Sequence, residues 1–307
     1  MSRSFRPSLA LVLAAAFLAS GTLVACTSDP GWPPEQMNFA LIPAPVNAQV
    51  VVGENRMLFN VLDRQNQSIA SADRPLLLQF FHLATSRTQI LEEAEATFIP
   101  TVQGRPGLYR AIVAFDRAGE WGVQATSTES DDTKRTGRFV FPVRELGTTP
   151  ALGAQAIASE TPTADTAEEI AAISTDDDPE PDFYRQSVPG ALAAHEPFAL
   201  IFATPAFCRS ATCGPTLDVV KSAAAPFMDR MTFIHVEPYE LEMVGGHLRP
   251  VLSPDNDPIP TAATTAWGLP TEPYIFVVDA QGKVTAKFEG IASADELSAA
   301  FEAVATP

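Results

Sequence analysis

Residues 146–182 have a composition that a folded domain rarely shows. The stretch holds nine Asp and Glu residues and no Lys or Arg, and it is otherwise rich in Ala, Thr, Pro and Ser. It offers too little apolar surface to order itself against water. We therefore predict an acidic disordered linker, with a short helix near residues 167–173, that divides the chain into two domains. The chain length of 307 residues accommodates two domains of ordinary size.

The first 25 residues have the pattern of an export signal. Arg3 and Arg6 precede an apolar run over residues 9–18, which small residues follow. This order is typical of a secretory signal peptide, and the run is short for a membrane span. The sequence Leu-Val-Ala-Cys26 resembles the bacterial lipobox, which implies cleavage before Cys26, a lipid on that cysteine and a place on the extracytoplasmic face of the cell membrane. An ordinary signal peptide with a chance cysteine is the alternative.

The charge of the exported part excludes one class of partner. Removal of residues 1–25 takes away two arginines and no acid, so the net charge changes from −17 to −19. An acidic surface repels nucleic acid and anionic lipid. We expect no nucleic-acid partner and expect membrane attachment through the lipid alone. Residues 26–40, with three prolines, are predicted to form a tether.

Residues 41–145 carry short apolar runs that predict β-strands. The runs are rich in β-branched and aromatic residues and are separated by polar turn clusters, which is typical of an antiparallel sandwich. They lie at residues 57–62, 75–81, 107–115 and 138–143. The sequence Ala-Gly-Glu-Trp121 resembles a corner of the immunoglobulin-like modules of bacterial exported proteins. The resemblance implies an all-β immunoglobulin-like sandwich, which we expect to act as a spacer or protein-binding module.

Residues 183–307 change to alternating strands and helices, which favours an α/β fold. The wholly apolar run Phe198–Phe202 precedes a loop with two cysteines, and a helix follows. The block from Trp267 to Val284 resembles the corresponding block of membrane-anchored thioredoxins, and Pro273 falls on the proline that is cis in that family. The resemblance implies a thioredoxin-like domain in which Pro273 frames a bound partner.

Cys208 and Cys213 are the candidate catalytic residues. A thiol at a helix N-terminus has a lowered pKa, so the pair indicates thiol–disulfide chemistry. The family motif is Trp-Cys-Gly-Pro-Cys. Its Trp-Cys can overlay on Phe207-Cys208, or its Cys-Gly-Pro-Cys on Cys213-Gly-Pro-Thr216, and the second overlay implies that Cys213 attacks and Cys208 resolves. A disulfide between them requires a turn, because five helical steps span about 7.5 Å.

Three interpretations of the pair remain open, and only the first of them makes the protein an enzyme. The pair is a redox-active centre for exchange with exported proteins, a structural disulfide of a non-catalytic binding module, or a copper site. Thiolates suit Cu(I) and imidazole can complete such a site, so the copper ligands would be Cys208, Cys213 and His247. No cofactor is expected in the first two cases. The family's buried acid is missing from the preceding apolar strand. Glu237, with Glu240 and Glu242, is interpreted as part of a solvated edge, and a partner surface is the alternative.

Overall fold

The computed structural model describes Trp32 and residues 40–101, 106–128 and 133–305. Cys26, the predicted signal peptide and most of the predicted tether lie outside these ranges. None of the helices within them has the length and hydrophobicity needed to cross a lipid bilayer.

Seven strands form one antiparallel sheet in the N-terminal half, in the order β1-β2-β5-β4-β3-β6-β7. They are β1 (Ile42–Pro45), β2 (Gly53–Leu62), β3 (Leu76–His82), β4 (Glu92–Ile99), β5 (Leu108–Phe115), β6 (Gly119–Thr128) and β7 (Lys134–Val143). Successive side chains of a strand point to opposite faces, and along β5 Tyr109 and Val113 are buried while Ile112 is exposed. On the buried face, Phe115 packs edge to face against Trp121.

The two ends of this sheet approach each other. The Val52 N–H donates to the Arg144 carbonyl, and the Arg144 N–H donates to the Val50 carbonyl. Further along, the backbone of Gly137 on β7 lies directly against the Leu41 carbonyl. The sheet is therefore nearly closed on itself. The predicted immunoglobulin-like sandwich of two sheets is therefore wrong. Alternation along each strand predicts which face is buried, but it does not predict how the strands are divided among sheets.

The C-terminal half contains a four-stranded sheet in the order β13-β12-β8-β9 and a separate hairpin. The strands are β8 (Phe198–Phe202), β9 (Thr232–Val236), β10 (Leu241–Val244), β11 (His247–Pro250), β12 (Tyr274–Val278) and β13 (Val284–Glu289). The helices are α1 (Ala167–Ile173), α2 (Val188–Ala194), α3 (Cys213–Ala224), α4 (Ala262–Ala266) and α5 (Ala294–Glu302), with 3₁₀ turns at Pro181–Tyr184 and Ala225–Phe227. Ser293 and Glu296 form the expected capping box of α5.

The predicted α/β thioredoxin-like class for residues 183–307 is also wrong. The described chain is mostly β, with 37% strand and 18% helix, and its largest feature is the seven-stranded antiparallel sheet. In the C-terminal sheet only β8 and β9 are parallel. The pairs β8–β12 and β12–β13 are antiparallel. The order of strands and helices along the sequence predicted the class, but a single parallel pair connected by α3 does not make an α/β layer.

Residues 146–182 do not form the predicted free linker. The predicted helix is present as α1, and its Ile170 is buried. The Gly153 N–H donates to the Val284 carbonyl, and the Ala156 N–H donates to the Gly282 carbonyl. The few apolar residues of this stretch contact the C-terminal core, which supplies the apolar surface that the stretch itself lacks. The domain boundaries at residues 41, 145 and 183 stay predictions.

An ion pair connects the two halves. Arg56 on β2 donates to both carboxylate oxygens of Glu296, at 2.7 and 2.9 Å. Both side chains are about nine-tenths buried. Burial by itself raises the pKa of Glu296, but the hydrogen bonds and charge of Arg56, with smaller effects of Ser293 and Arg110, hold it below its usual value.

We expect Arg56→Met to lower the free energy of unfolding by about 3 kcal/mol, because it removes the two-bonded partner of a buried carboxylate and leaves only the more exposed Arg110. Urea unfolding at neutral pH measures this loss. The double variant with Glu296→Gln should recover part of it. Glu302→Gln, in the more exposed pair with Arg230, serves as the control and should keep the wild-type midpoint. Equal midpoints for the wild type and Arg56→Met would contradict the buried pair.

Candidate functional site

The two cysteines lie at either end of one short loop between β8 and α3. The structure places their sulfur atoms at disulfide distance, with 5.9 Å between the Cα atoms. The predicted turn between them is present, since the Ala211 N–H donates to the Cys208 carbonyl. Ala211 has a positive φ of 53°. The loop therefore reverses direction just before α3 and returns the chain to Cys208.

The environments of the two sulfur atoms differ. Cys213 is fully buried, whereas Cys208 is partly exposed. The backbone N–H of Cys213, the first of α3, donates to the Cys208 sulfur at 3.3 Å. The Ser210 hydroxyl lies 3.2 Å from the same sulfur. The N–H group and the positive end of the helix dipole are thus directed at Cys208, where they favour a thiolate.

Pro273 lies beside the start of the cysteine loop. The register of β12 on β8 pairs Tyr274 with Phe202, so Pro273 is next to the chain that leaves β8. The Glu272–Pro273 peptide bond is cis, as the resemblance implied. The Pro273 carbonyl accepts a hydrogen bond from the Gly290 N–H. The Glu272 carboxylate accepts one from the Tyr239 hydroxyl at 2.9 Å.

A buried carboxylate, that of Glu237, is linked to the cysteine loop through Thr175. The sequence interpretation missed this residue. Glu237 follows β9 and is only 4% exposed, so its assignment to a solvated edge is wrong. One carboxylate oxygen accepts from the N–H and hydroxyl of Thr175, while the other has no hydrogen-bond partner in the described chain. The Thr175 hydroxyl also accepts from the Ala206 N–H at 3.2 Å. Glu237 therefore fixes the loop through Thr175. Its position directly after a buried strand was the available signal.

A second polar residue, Thr216, was not identified as a site residue in its own right. Its side chain is buried one turn along α3 from Cys213. Its hydroxyl has no hydrogen-bond partner among the described residues. Residues three apart lie on the same helix face. A buried hydroxyl without a partner is thus close to the face that presents the Cys213 sulfur.

His235 on β9 is a core residue whose ring nitrogens are both engaged. The hydroxyl of Tyr184 lies 2.7 Å from Nδ1, and the Ala203 carbonyl lies 3.0 Å from Nε2. Burial lowers the pKa of His235, and the opposing charges of Glu237 and Asp176 do not offset it. Burial also raises the pKa of Tyr184.

The lowered pKa of His235 predicts a pH dependence of stability. The unfolded state, with the ordinary pKa of 6.5, binds the proton more tightly than the folded state. The stability is therefore complete above that value and falls as the pH decreases below it. Urea unfolding at about pH 7.5, 6.5 and 5.5 should show this fall.

The fall should disappear in His235→Gln. The matched variant is His247→Gln, in the exposed hairpin, which should keep the wild-type slope. Burial raises the pKa of Glu289, so this residue opposes the fall in stability at lower pH. It does so equally in the wild type and both variants. A wild-type slope in His235→Gln would contradict the assignment.

The predicted copper ligands do not come together. His247 is exposed at the start of β11. Among the described residues, no three His, Cys, Asp or Glu side chains form a group that could hold a metal ion. The cysteine loop does reach toward the segment after β11, since Arg209 pairs with Asp257 at 2.8 Å. That contact brings no imidazole to the sulfur atoms.

Comparisons with known proteins yield neither a family nor a relative. No family model and no curated protein matches the chain. Among solved structures, the C-terminal domain of ZirS is similar over 47% of this chain and 86% of that domain, with 9% identity and a TM-score of 0.19. A putative glycoside hydrolase from Bacteroides vulgatus ATCC 8482 is similar over 69% of this chain and 34% of its own, with 11% identity and a TM-score of 0.21.

Proposed function

We propose that this protein exchanges thiols and disulfides with exported proteins through Cys208 and Cys213. The observation that supports this most is the unequal pair: a partly exposed Cys208 sulfur with an N–H directed at it, at disulfide distance from a buried Cys213. An incoming group can reach Cys208 only. The roles expected from the sequence are therefore exchanged, with Cys208 as the attacking and Cys213 as the resolving residue.

The chemistry is a two-electron exchange through one mixed disulfide. In the reducing direction, the Cys208 thiolate attacks a partner disulfide, a Cys208–partner bond forms and the partner's other sulfur leaves as a thiolate that takes up a proton. Cys213 then loses its proton and attacks Cys208, which forms the internal disulfide and releases the second partner thiolate. The oxidising direction is the reverse, so either direction requires the same contact between the partner and Cys208.

The surroundings of Cys213 support its role as the resolving residue. A buried thiolate is unfavourable unless a donor stabilises it. Thr216 carries a buried hydroxyl with no partner in the described chain, on the face of α3 that bears Cys213. Glu237, through Thr175, holds the backbone of Ala206 two residues before Cys208. These residues position the two sulfur atoms rather than contact the partner.

The proposal includes attachment to the membrane by a lipid on Cys26. Its support is the lipobox-like sequence and the export signal before it. Trp32, six residues later, is buried against Phe81 and Leu83 of the N-terminal sheet. A lipid on Cys26 would therefore keep this side of the sheet within about 20 Å of the membrane. Incorporation of labelled palmitate, lost in Cys26→Ala, tests the attachment.

A redox titration with glutathione tests the exchange activity. An active centre is expected to show reversible oxidation and reduction, with a midpoint potential between about −120 and −270 mV. A disulfide that resists reduction, with a potential below about −300 mV, would contradict the proposal and support the structural interpretation of a non-catalytic binding module. Alkylation and mass analysis of the two cysteines measure the oxidised fraction directly.

A further inference from the structure

A cavity of about 290 Å³ lies between the two halves of the protein. One wall comes from β2 and β5, the opposite wall from β13 and α5, and the segment at residues 147–152 closes one side. Its apolar lining includes Val51, Ala299 and Phe288. Ile112 and Leu152 keep 47% and 43% of their surface exposed and lie at its mouth. The volume corresponds to a ligand of about ten non-hydrogen atoms.

The acidic side chains of the cavity wall are already engaged. Glu296 accepts from Arg56 and from Arg110. Glu289 accepts from the Ala48 N–H at 2.5 Å and from the Asn47 amide at 3.3 Å. Glu54 also lines the cavity but is exposed. Buried acceptors in this wall are thus satisfied by the protein itself.

Two basic groups line the cavity from opposite walls and have donors to spare. The Lys287 ammonium lies 3.3 Å from the Thr149 hydroxyl and 3.4 Å from the Pro150 carbonyl. No carboxylate of the described chain forms an ion pair with it. Burial lowers the pKa of Lys287, because it holds the ammonium charge away from water. The Nε of Arg110 is buried and has no hydrogen-bond partner in the described chain. Unsatisfied buried donors are rare and favour an acceptor supplied from outside.

We propose that this cavity binds a small organic monocarboxylate. Its two oxygens would accept hydrogen bonds from Lys287 and Arg110, and its apolar part would contact Ile112, Leu152 and Phe288. A phosphate fits less well, because it carries more negative charge than a carboxylate. The carboxylates of Glu289 and Glu296 would repel this second negative charge. The site is separate from the cysteine loop and does not depend on the exchange activity.

Ligand titration of the exported chain by protein-observed NMR tests the site. The probes are benzoate and isobutyrate, with benzamide, isobutyramide and inorganic phosphate for comparison. The carboxylates should bind saturably and at least about tenfold more tightly than their amides, with shifts at residues of β13 and β2. Absence of saturable carboxylate binding, equal binding of the amides, or tighter binding of phosphate would each overturn the proposal.

Three variants locate the binding. Lys287→Met should weaken benzoate binding by at least about tenfold. Lys283→Met, on the exposed turn before the same strand, is the matched control and should bind as the wild type does. Ile112→Trp closes the mouth from an exposed position and should abolish binding even if Lys287→Met folds poorly. Wild-type affinity in Ile112→Trp, or in a folded Lys287→Met, would place the ligand elsewhere and refute the site.

Discussion

Reduced Cys213→Ser protein is expected to react rapidly with 5,5′-dithiobis(2-nitrobenzoate) and to keep the thionitrobenzoate group on Cys208. Cys208 is partly exposed and receives the Cys213 N–H, and without a resolving thiol the mixed disulfide has no internal route of decay. Reduced wild-type protein should instead release two equivalents of thionitrobenzoate, because Cys213 displaces the second. Absorbance of the released thiolate and intact mass of the protein measure both outcomes.

Cys208→Ser should react at least about tenfold more slowly, because its remaining thiol, Cys213, is fully buried. Under denaturing conditions the two single variants should react at equal rates, which shows that burial causes the difference. Faster reaction of native Cys208→Ser than of native Cys213→Ser would reverse the assigned roles and restore the order expected from the sequence.

Gly137→Ala is expected to lower the free energy of unfolding by about 3 kcal/mol. A Cβ at this position would overlap the carbonyl of Leu41, so β7 would have to move away from the chain that leads into β1. The approach of these two edges is what makes the seven-stranded sheet nearly closed. Urea unfolding followed by circular dichroism measures the loss of stability, and hydrogen exchange should show the loss of protection in β1 and β7.

Thr136→Ala is the matched control for the closed edge. Thr136 precedes Gly137 on β7 and is exposed, so its replacement should change stability by no more than about 0.5 kcal/mol. If Gly137→Ala proved as stable as Thr136→Ala, with unchanged protection in β1, the edges would not meet and the sheet would be open.

The sequence predicted local elements better than their assembly. The wholly apolar run Phe198–Phe202 is a buried central strand, because both of its faces contribute to a core. The capping residues Ser293 and Glu296 define the start of α5 as expected. Such features depend on neighbours in sequence. Fold class depends on which strands pair, and neither the closure of the N-terminal sheet nor the dominance of antiparallel pairs could be obtained from periodicity.

The cysteine loop was predicted in part. The need for a turn between Cys208 and Cys213 was correct, whereas the roles of the two cysteines stay a proposal. Which sulfur receives the helix N–H depends on how the loop folds back, and that in turn depends on the positive φ of Ala211. Glu237 was missed because its hydrogen-bond partner, Thr175, lies in a stretch whose composition predicted a free linker.

The most direct test of the exchange account is to map the mixed disulfide formed by the wild-type protein with glutathione. The protein is equilibrated near its midpoint potential, quenched with acid, alkylated and digested, and the glutathionylated peptide is identified by mass spectrometry. The account predicts glutathione on Cys208 and none on Cys213, beside the internal disulfide. Glutathione on Cys213, or no adduct on either cysteine at any ratio, would contradict it.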